Sequence, residues 1–181
     1  MTHELRRLLV ARGADRLPHA GGSLLEHLGR TSERLAGWGA DSDLRTLALA
    51  HACYGTDGFG EVLLTLDERD VLRDAVGAAV EAEVYRYASC GRDRTYPHLA
   101  DRPQVLFHDR FTGAESLVDA SELRRFAELT VANELDVYLH LDDPGEDFRT
   151  WLLDLVDRMR DLLTDAAVAD CTESLRPAPT A

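Results

Sequence analysis

Lysine and isoleucine are absent from the 181 residues, asparagine occurs once, at Asn133, and all 20 basic residues are arginine. Without lysine there is no Schiff-base catalysis and no lysine to hold a nucleotide's phosphates. The bias toward Arg, Ala, Gly, Val and Leu is that expected of a GC-rich genome, that of a high-GC bacterium. Cysteine is scarce as well. Cys53, Cys90 and Cys171 are odd in number and far apart, which excludes a disulfide framework or a zinc-ligand set. No apolar run reaches the roughly 18 residues that a membrane span needs. The opening segment, MTHELRRLLVARGADRLP, is too charged for a secretion signal. The expected setting is therefore a reduced cytoplasm. A formal net charge of −13 and a pI near 4.8 make a surface that repels phosphate backbones, so nucleic acid is not an expected partner.

The chain does contain 45% hydrophobic residues, enough for one compact domain with a real core. The patterning predicts about six helices. The first covers roughly 2–12 and ends at Gly13. Ser23 with Glu26 is a capping-box signature that opens a second helix, to about Gly37. A third runs from Asp41 to Ala52 or Cys53, after which Gly55, Gly58 and Gly60 mark a loop. Thr65 with Glu68 caps a fourth, read as one long helix over 66–88 with an inner stripe of Leu72, Val76, Val80, Val84 and Tyr87. Residues 104–119 read as a small hairpin around Phe111, Thr112 and Gly113. Asp119 with Glu122 opens a helix over about 120–141, and a last one covers about 146–170. The fold class expected is all-α, a bundle of about six helices with one small β-hairpin. It forms a single domain over 1–172, with a disordered tail over 173–181.

The chemistry-bearing residues gather around two of these helices. His27 lies in the first turns of the second helix and His51 ends the third. The short connection WGADSD makes the two helices antiparallel neighbours, so the histidines should face each other. His19 is placed to close over the same spot. Converging imidazoles suit a divalent metal or a general acid/base pair, and equally a structural histidine pair holding the GTDG loop. Asn133 falls on the apolar stripe of the 120–141 helix, where an amide must find partners or cost about 1–3 kcal/mol. Glu83 falls on the inner side of the long helix, as a perturbed acid or base or as the partner of Arg92 or Arg94. Arg69 lies on the same side, about 21 Å away along an unbroken helix and so out of Glu83's reach. It is a candidate anion clamp. Tyr54 and Asp57, in and beside the loop, complete the candidate binding groups. Cys53 adjoins His51, but neighbouring helical residues diverge, so it reads as core.

His27, the phrase Leu-Ala-His51-Ala-Cys-Tyr-Gly and the phrase Thr-Val-Ala-Asn133-Glu-Leu-Asp together resemble an HD-domain protein. HD domains form a helical superfamily of metal-dependent phosphohydrolases and some di-iron oxygenases. The combined pattern also resembles an uncharacterised bacterial family of small HD-like proteins. The resemblance runs over roughly 23–140 in order of elements, with half of the motif present. It implies an HD-like bundle in which His27 and His51 match the two histidines. Ala52 and Asn133 stand where the two carboxylate ligands would be. Any metal would then need Asp57 or Asp136 as a substitute ligand beside His27 and His51.

The functional expectation is a small HD-like enzyme acting on a small polar molecule. One form is metal-dependent hydrolysis or oxidation at His27 and His51. A second is metal-free acid/base chemistry, such as cyclisation, elimination or isomerisation, by His27 and His51 with Glu83. A third is a non-enzymatic ligand- or partner-binding domain. The cofactor is left open, the expected partner is a small molecule, and a homodimer is left open as well.

Overall fold

A computed structural model describes residues 3–177 and is mostly helical, as expected. Helix α1 covers His3–Ala11. A two-residue hairpin follows, β1 (Pro18–His19) against β2 (Gly22–Ser23), inside a stretch read from sequence as loop. Helix α2 (Leu24–Gly37) starts at the expected capping box, with Ser23 and Glu26 satisfying each other's backbone N–H. Helix α3 (Ser42–Ala50) is capped by the Asp41 side chain, and His51 stands at its C-terminus. Helices α2 and α3 pack side by side.

The long helix expected over 66–88 is two helices. Thr65 and Glu68 form the expected box but open only a 3-10 turn, which leads into α4 (Arg69–Val76). Helix α5 (Ala78–Ser89) folds back against α4. The break is Gly77, at φ 85° and ψ 156°. That region of backbone space is closed to residues with a Cβ, so glycine sets the corner. The segment after α5, read as irregular, holds a one-turn helix α6 (Arg92–Thr95). The expected hairpin is present as β3 (Gln104–His108) paired antiparallel with β4 (Glu115–Asp119).

Helix α7 (Arg124–His140) is the centre of the molecule. Every residue from Phe126 to Asp136 is buried, so the helix has no solvent face over three turns. Helices α2, α8 (Gly145–Met159) and α9 (Asp165–Ser174) surround it. The single last helix expected over 146–170 is thus also two. Thr164 starts the second by accepting a hydrogen bond from Ala167 N. Residues 173 and 174, placed in the disordered tail by the sequence, close α9, while Thr2 and residues 178–181 lie outside the described residues. No helix among the described residues is long and apolar enough to cross a membrane.

Since a Cβ at Gly77 would meet nothing within 4 Å, Gly77→Ala tests the backbone alone. It should lower stability by about 1–3 kcal/mol, read from chemical denaturation, with the helical content of the native state unchanged. A neutral result would mean that the α4–α5 corner does not require glycine.

Candidate functional site

The helix pair brings His27 and His51 together as the connection length predicts: their ring centroids are 5.5 Å apart, edge to face. His19, carried by the β1–β2 turn, stacks on His27 at 4.0 Å. Arg30 holds that turn in place by donating to the carbonyls of Ala20 and Gly21. Helix α7 supplies Asn133 from the opposite side.

His27 is fully buried and engaged at both ring nitrogens. Nδ1 meets Asp136 Oδ2 at 2.6 Å and Nε2 meets Asn133 Oδ1 at 3.0 Å. The amide orientation is forced by its other end, where Asn133 Nδ2 donates to Glu134 Oε1 at 2.9 Å. A flipped amide would set two acceptor oxygens against each other. With oxygens facing both nitrogens, His27 donates on both sides and is an imidazolium. Asp136 is 1% exposed at its side chain and accepts from Arg30 through Nε and a terminal nitrogen, both at 2.9 Å. Burial alone would raise its pKa; the hydrogen bonds from His27 and Arg30 outweigh it and hold the carboxyl at about 2. At the far end Arg92 donates to Glu134 Oε1 at 2.8 Å. An unbroken polar chain therefore runs Arg30–Asp136–His27–Asn133–Glu134–Arg92.

His51 differs from His27. Its Nδ1 donates to Ala48 O at 2.7 Å, which fixes the Nδ1–H tautomer, and Nε2 has no partner among the described residues. Burial first, and then the charge of His27, push its pKa down to about 3. Burial and His27 also lower His19, to about 4. Both rings are neutral at ordinary pH. They open on a cavity of about 280 Å³, lined also by Thr56, Phe59, Arg92, Asn133 and Glu134. Its lid is the GTDGF loop. Thr56 and Phe59 close that loop by exchanging backbone hydrogen bonds, and Phe59 packs edge-on against His19 at 5.2 Å. Asp57 anchors it by accepting from Arg92 N at 2.7 Å.

Several sequence candidates fall elsewhere. Glu83 is outside the site, paired with Arg125 at 2.9 Å on the surface of α5. The buried carboxylate of that helix is Glu81, two residues earlier. It accepts from Arg69 through two nitrogens, at 2.6 and 3.0 Å, and from Tyr54 Oη at 2.9 Å. Arg69 and Tyr54 therefore belong to a separate cluster and do not line the cavity. Asp57 belongs to the lid, and Asp136 lies behind His27. Glu134 and Arg92 are the site residues that sequence reasoning missed as such. Cys53 is core as expected, its thiol pushed up to about 12 by burial.

The side chains present do not fit a divalent metal. His27 has no free lone pair, Asp136 faces two cationic donors, and Asp57 faces a backbone amide. Among the described residues no group of three or more His, Cys, Asp or Glu is placed to hold a metal ion. Residues 8–92 match the model of DUF6817, a domain of unknown function, which covers just under half of the chain. The matched stretch contains His19, His27, His51 and Arg92, while their partners on α7 lie beyond it. No curated protein and no solved structure matches the chain at a significant level.

Replacing Asp136 by Asn leaves His27 and Arg30 without their counter-charge, and should cost about 3–5 kcal/mol of stability, read from denaturant unfolding. A change under about 1 kcal/mol would mean that the chain of charges does not hold α2 on α7.

Stability should also respond to pH through His51. The unfolded ring binds a proton near pH 6.5 and the folded ring only near pH 3. Stability is therefore complete above 6.5 and falls as the pH drops toward 3, by about 2 kcal/mol at pH 5 from this ring alone. Above pH 5 most carboxylates are still ionised in both states, so the histidines dominate this window. His51→Gln should flatten the melting-temperature profile between pH 7 and 5; an unchanged slope would reject the assignment.

Proposed function

We propose that the chain is a small enzyme that carries out metal-free acid/base chemistry on a small polar molecule held between His51, His19 and Asn133. The observation that supports this is the contrast within one histidine cluster. His27 is fixed as a cation by Asp136, and His51, 5.5 Å away, is fixed as a neutral base with Nε2 unengaged. Environments that push neighbouring titratable groups apart keep one of them an unprotonated base at ordinary pH.

In this reading Nε2 of His51 takes the proton, and the Nδ1–H bond to Ala48 O steadies the imidazolium that forms. The protonated His51 then returns that proton at a neighbouring position of the substrate and is neutral again, while His19, also neutral, lines the cavity beside it as a hydrogen-bonding group. His27 does not touch the substrate. It is a positioning residue that orients Asn133 and supplies a fixed positive charge beneath His19. Asn133 is oriented by His27 and Glu134 on the wall where a developing negative charge would sit. The reaction class is proton transfer with rearrangement: isomerisation, elimination or cyclisation. The HD-like resemblance leads to the same pocket, but its metal-dependent hydrolysis or oxidation has no support in a donor set already engaged by arginine, asparagine and backbone.

The test is solvent exchange. The full chain is incubated in heavy water with a panel of small oxo-, hydroxy- and unsaturated acids and their amides, and deuterium entering C–H positions is followed by NMR. At least one compound should exchange faster with the protein present. His51→Gln should slow that exchange by about 10²–10⁴-fold, the usual contribution of a general base. No protein-dependent exchange, or exchange that survives His51→Gln, would reject the reading.

A further inference from the structure

The cavity is backed by a chain of charged groups. Its polar chain holds three cations, Arg30, His27 and Arg92, against two anions, Asp136 and Glu134. His19 and His51 are neutral and add nothing to that balance. The cavity wall itself carries one charged pair, Arg92 with Glu134.

Donors are also left over. Arg92 has five N–H groups, and among the described residues its only side-chain hydrogen bond is the one from a terminal nitrogen to Glu134 Oε1. The remaining guanidinium N–H groups have no acceptor among the described residues. The Thr56 hydroxyl, on the cavity wall and in a buried residue, makes no hydrogen bond among the described residues either. Gly58 lets the lid close against this cation, since a Cβ there would come within 2.9 Å of the Arg92 guanidinium. The rest of the lining is small or apolar: Ala20, Ala52, Phe59, Val137 and Leu141.

We propose that the cavity takes a small monocarboxylate with a short apolar body, its carboxylate held by Arg92 and Thr56 and its body turned toward His51. A guanidinium edge matches a planar carboxylate. A dianion such as phosphate fits less well. The second oxygen-rich group, Glu134, is already against Arg92, and no further unpaired cation lines the wall. The proposal deepens the acid/base reading and rests on it only for the role of His51.

The test is calorimetric titration of the full chain at pH 7 with butyrate, butyramide, butylammonium and inorganic phosphate. Butyrate should bind saturably, and the other three at least tenfold more weakly, which is about 1.4 kcal/mol. Thr56→Val should weaken butyrate at least threefold. Thr56 lines this cavity and not the outer cleft of Tyr96, Pro97 and Trp151 that Arg92 also borders, so this variant locates the site. The double variant Arg92→Gln, Glu134→Gln removes both charges of the pair and should weaken butyrate at least tenfold. If it fails to fold, Thr56→Val and the amide comparison decide. Butyramide or phosphate binding as tightly as butyrate overturns the proposal, as does indifference to Thr56→Val or the absence of butyrate binding. His51→Gln separates the two readings: it should retain butyrate binding while losing deuterium exchange. Exchange without carboxylate binding rejects the carboxylate alone, and binding without exchange rejects the acid/base role alone.

Discussion

A carboxylate in the middle of the central helix governs this structure. Asp136 lies on α7 at 1% side-chain exposure, and a charge removed from water to that degree must be surrounded by donors or neutralised. Helix α2 provides them from two positions three residues apart, His27 and Arg30, which share one helix face. That double attachment fixes how α2 lies against α7. It also determines everything downstream. With Nδ1 of His27 committed to Asp136, Nε2 turns to Asn133; the amide then turns its nitrogen to Glu134, whose carboxylate holds Arg92. Each member sets the orientation of the next.

The same constraint explains why three imidazoles in contact do not behave alike. Like charges so close in a buried site oppose one another, so the proton goes to the ring with the best counter-charge. His27 has a carboxylate. His51 has a backbone carbonyl, which orients a neutral ring but balances no full charge. His19 sits above an existing cation. The division of the cluster into one charged and two neutral rings follows from partners on α3 and α7, not from the histidines themselves.

Part of this was legible in the sequence. The approach of His27 and His51 follows from two short helices and a six-residue connection. Asn133 was legible because a lone amide among apolar residues must be satisfied. Glu83 was misread because a single helical phase was carried across Gly77; the corner resets the phase, and Glu81 faces inward instead. Glu134 was invisible for a different reason. Stripe reasoning assumes a solvent face, and α7 has none over Phe126–Asp136, so both neighbours of any inward residue are inward too. Arg92 lies in a segment without periodicity, where only the fold brings it under the lid.

The two buried carboxylates also show what separates a site from a strut. Glu81 is as enclosed as Asp136, and it too is gripped by an arginine through two nitrogens, with Tyr54 as a third donor. Burial first raises its pKa and the Arg69 and Tyr54 hydrogen bonds more than reverse this, so it stays ionised. Yet it lines neither of the cavities described above, and its donors are directed at the carboxylate itself. Such a cluster holds α4, α5 and the turn after α3 together. At the Asp136 chain the pairing is incomplete at one end: Arg92 keeps donors, His51 keeps a lone pair, and both open on the same cavity. A perturbed pKa or a buried ion pair marks both places equally. The unengaged polar atoms around a cavity distinguish the one from the other.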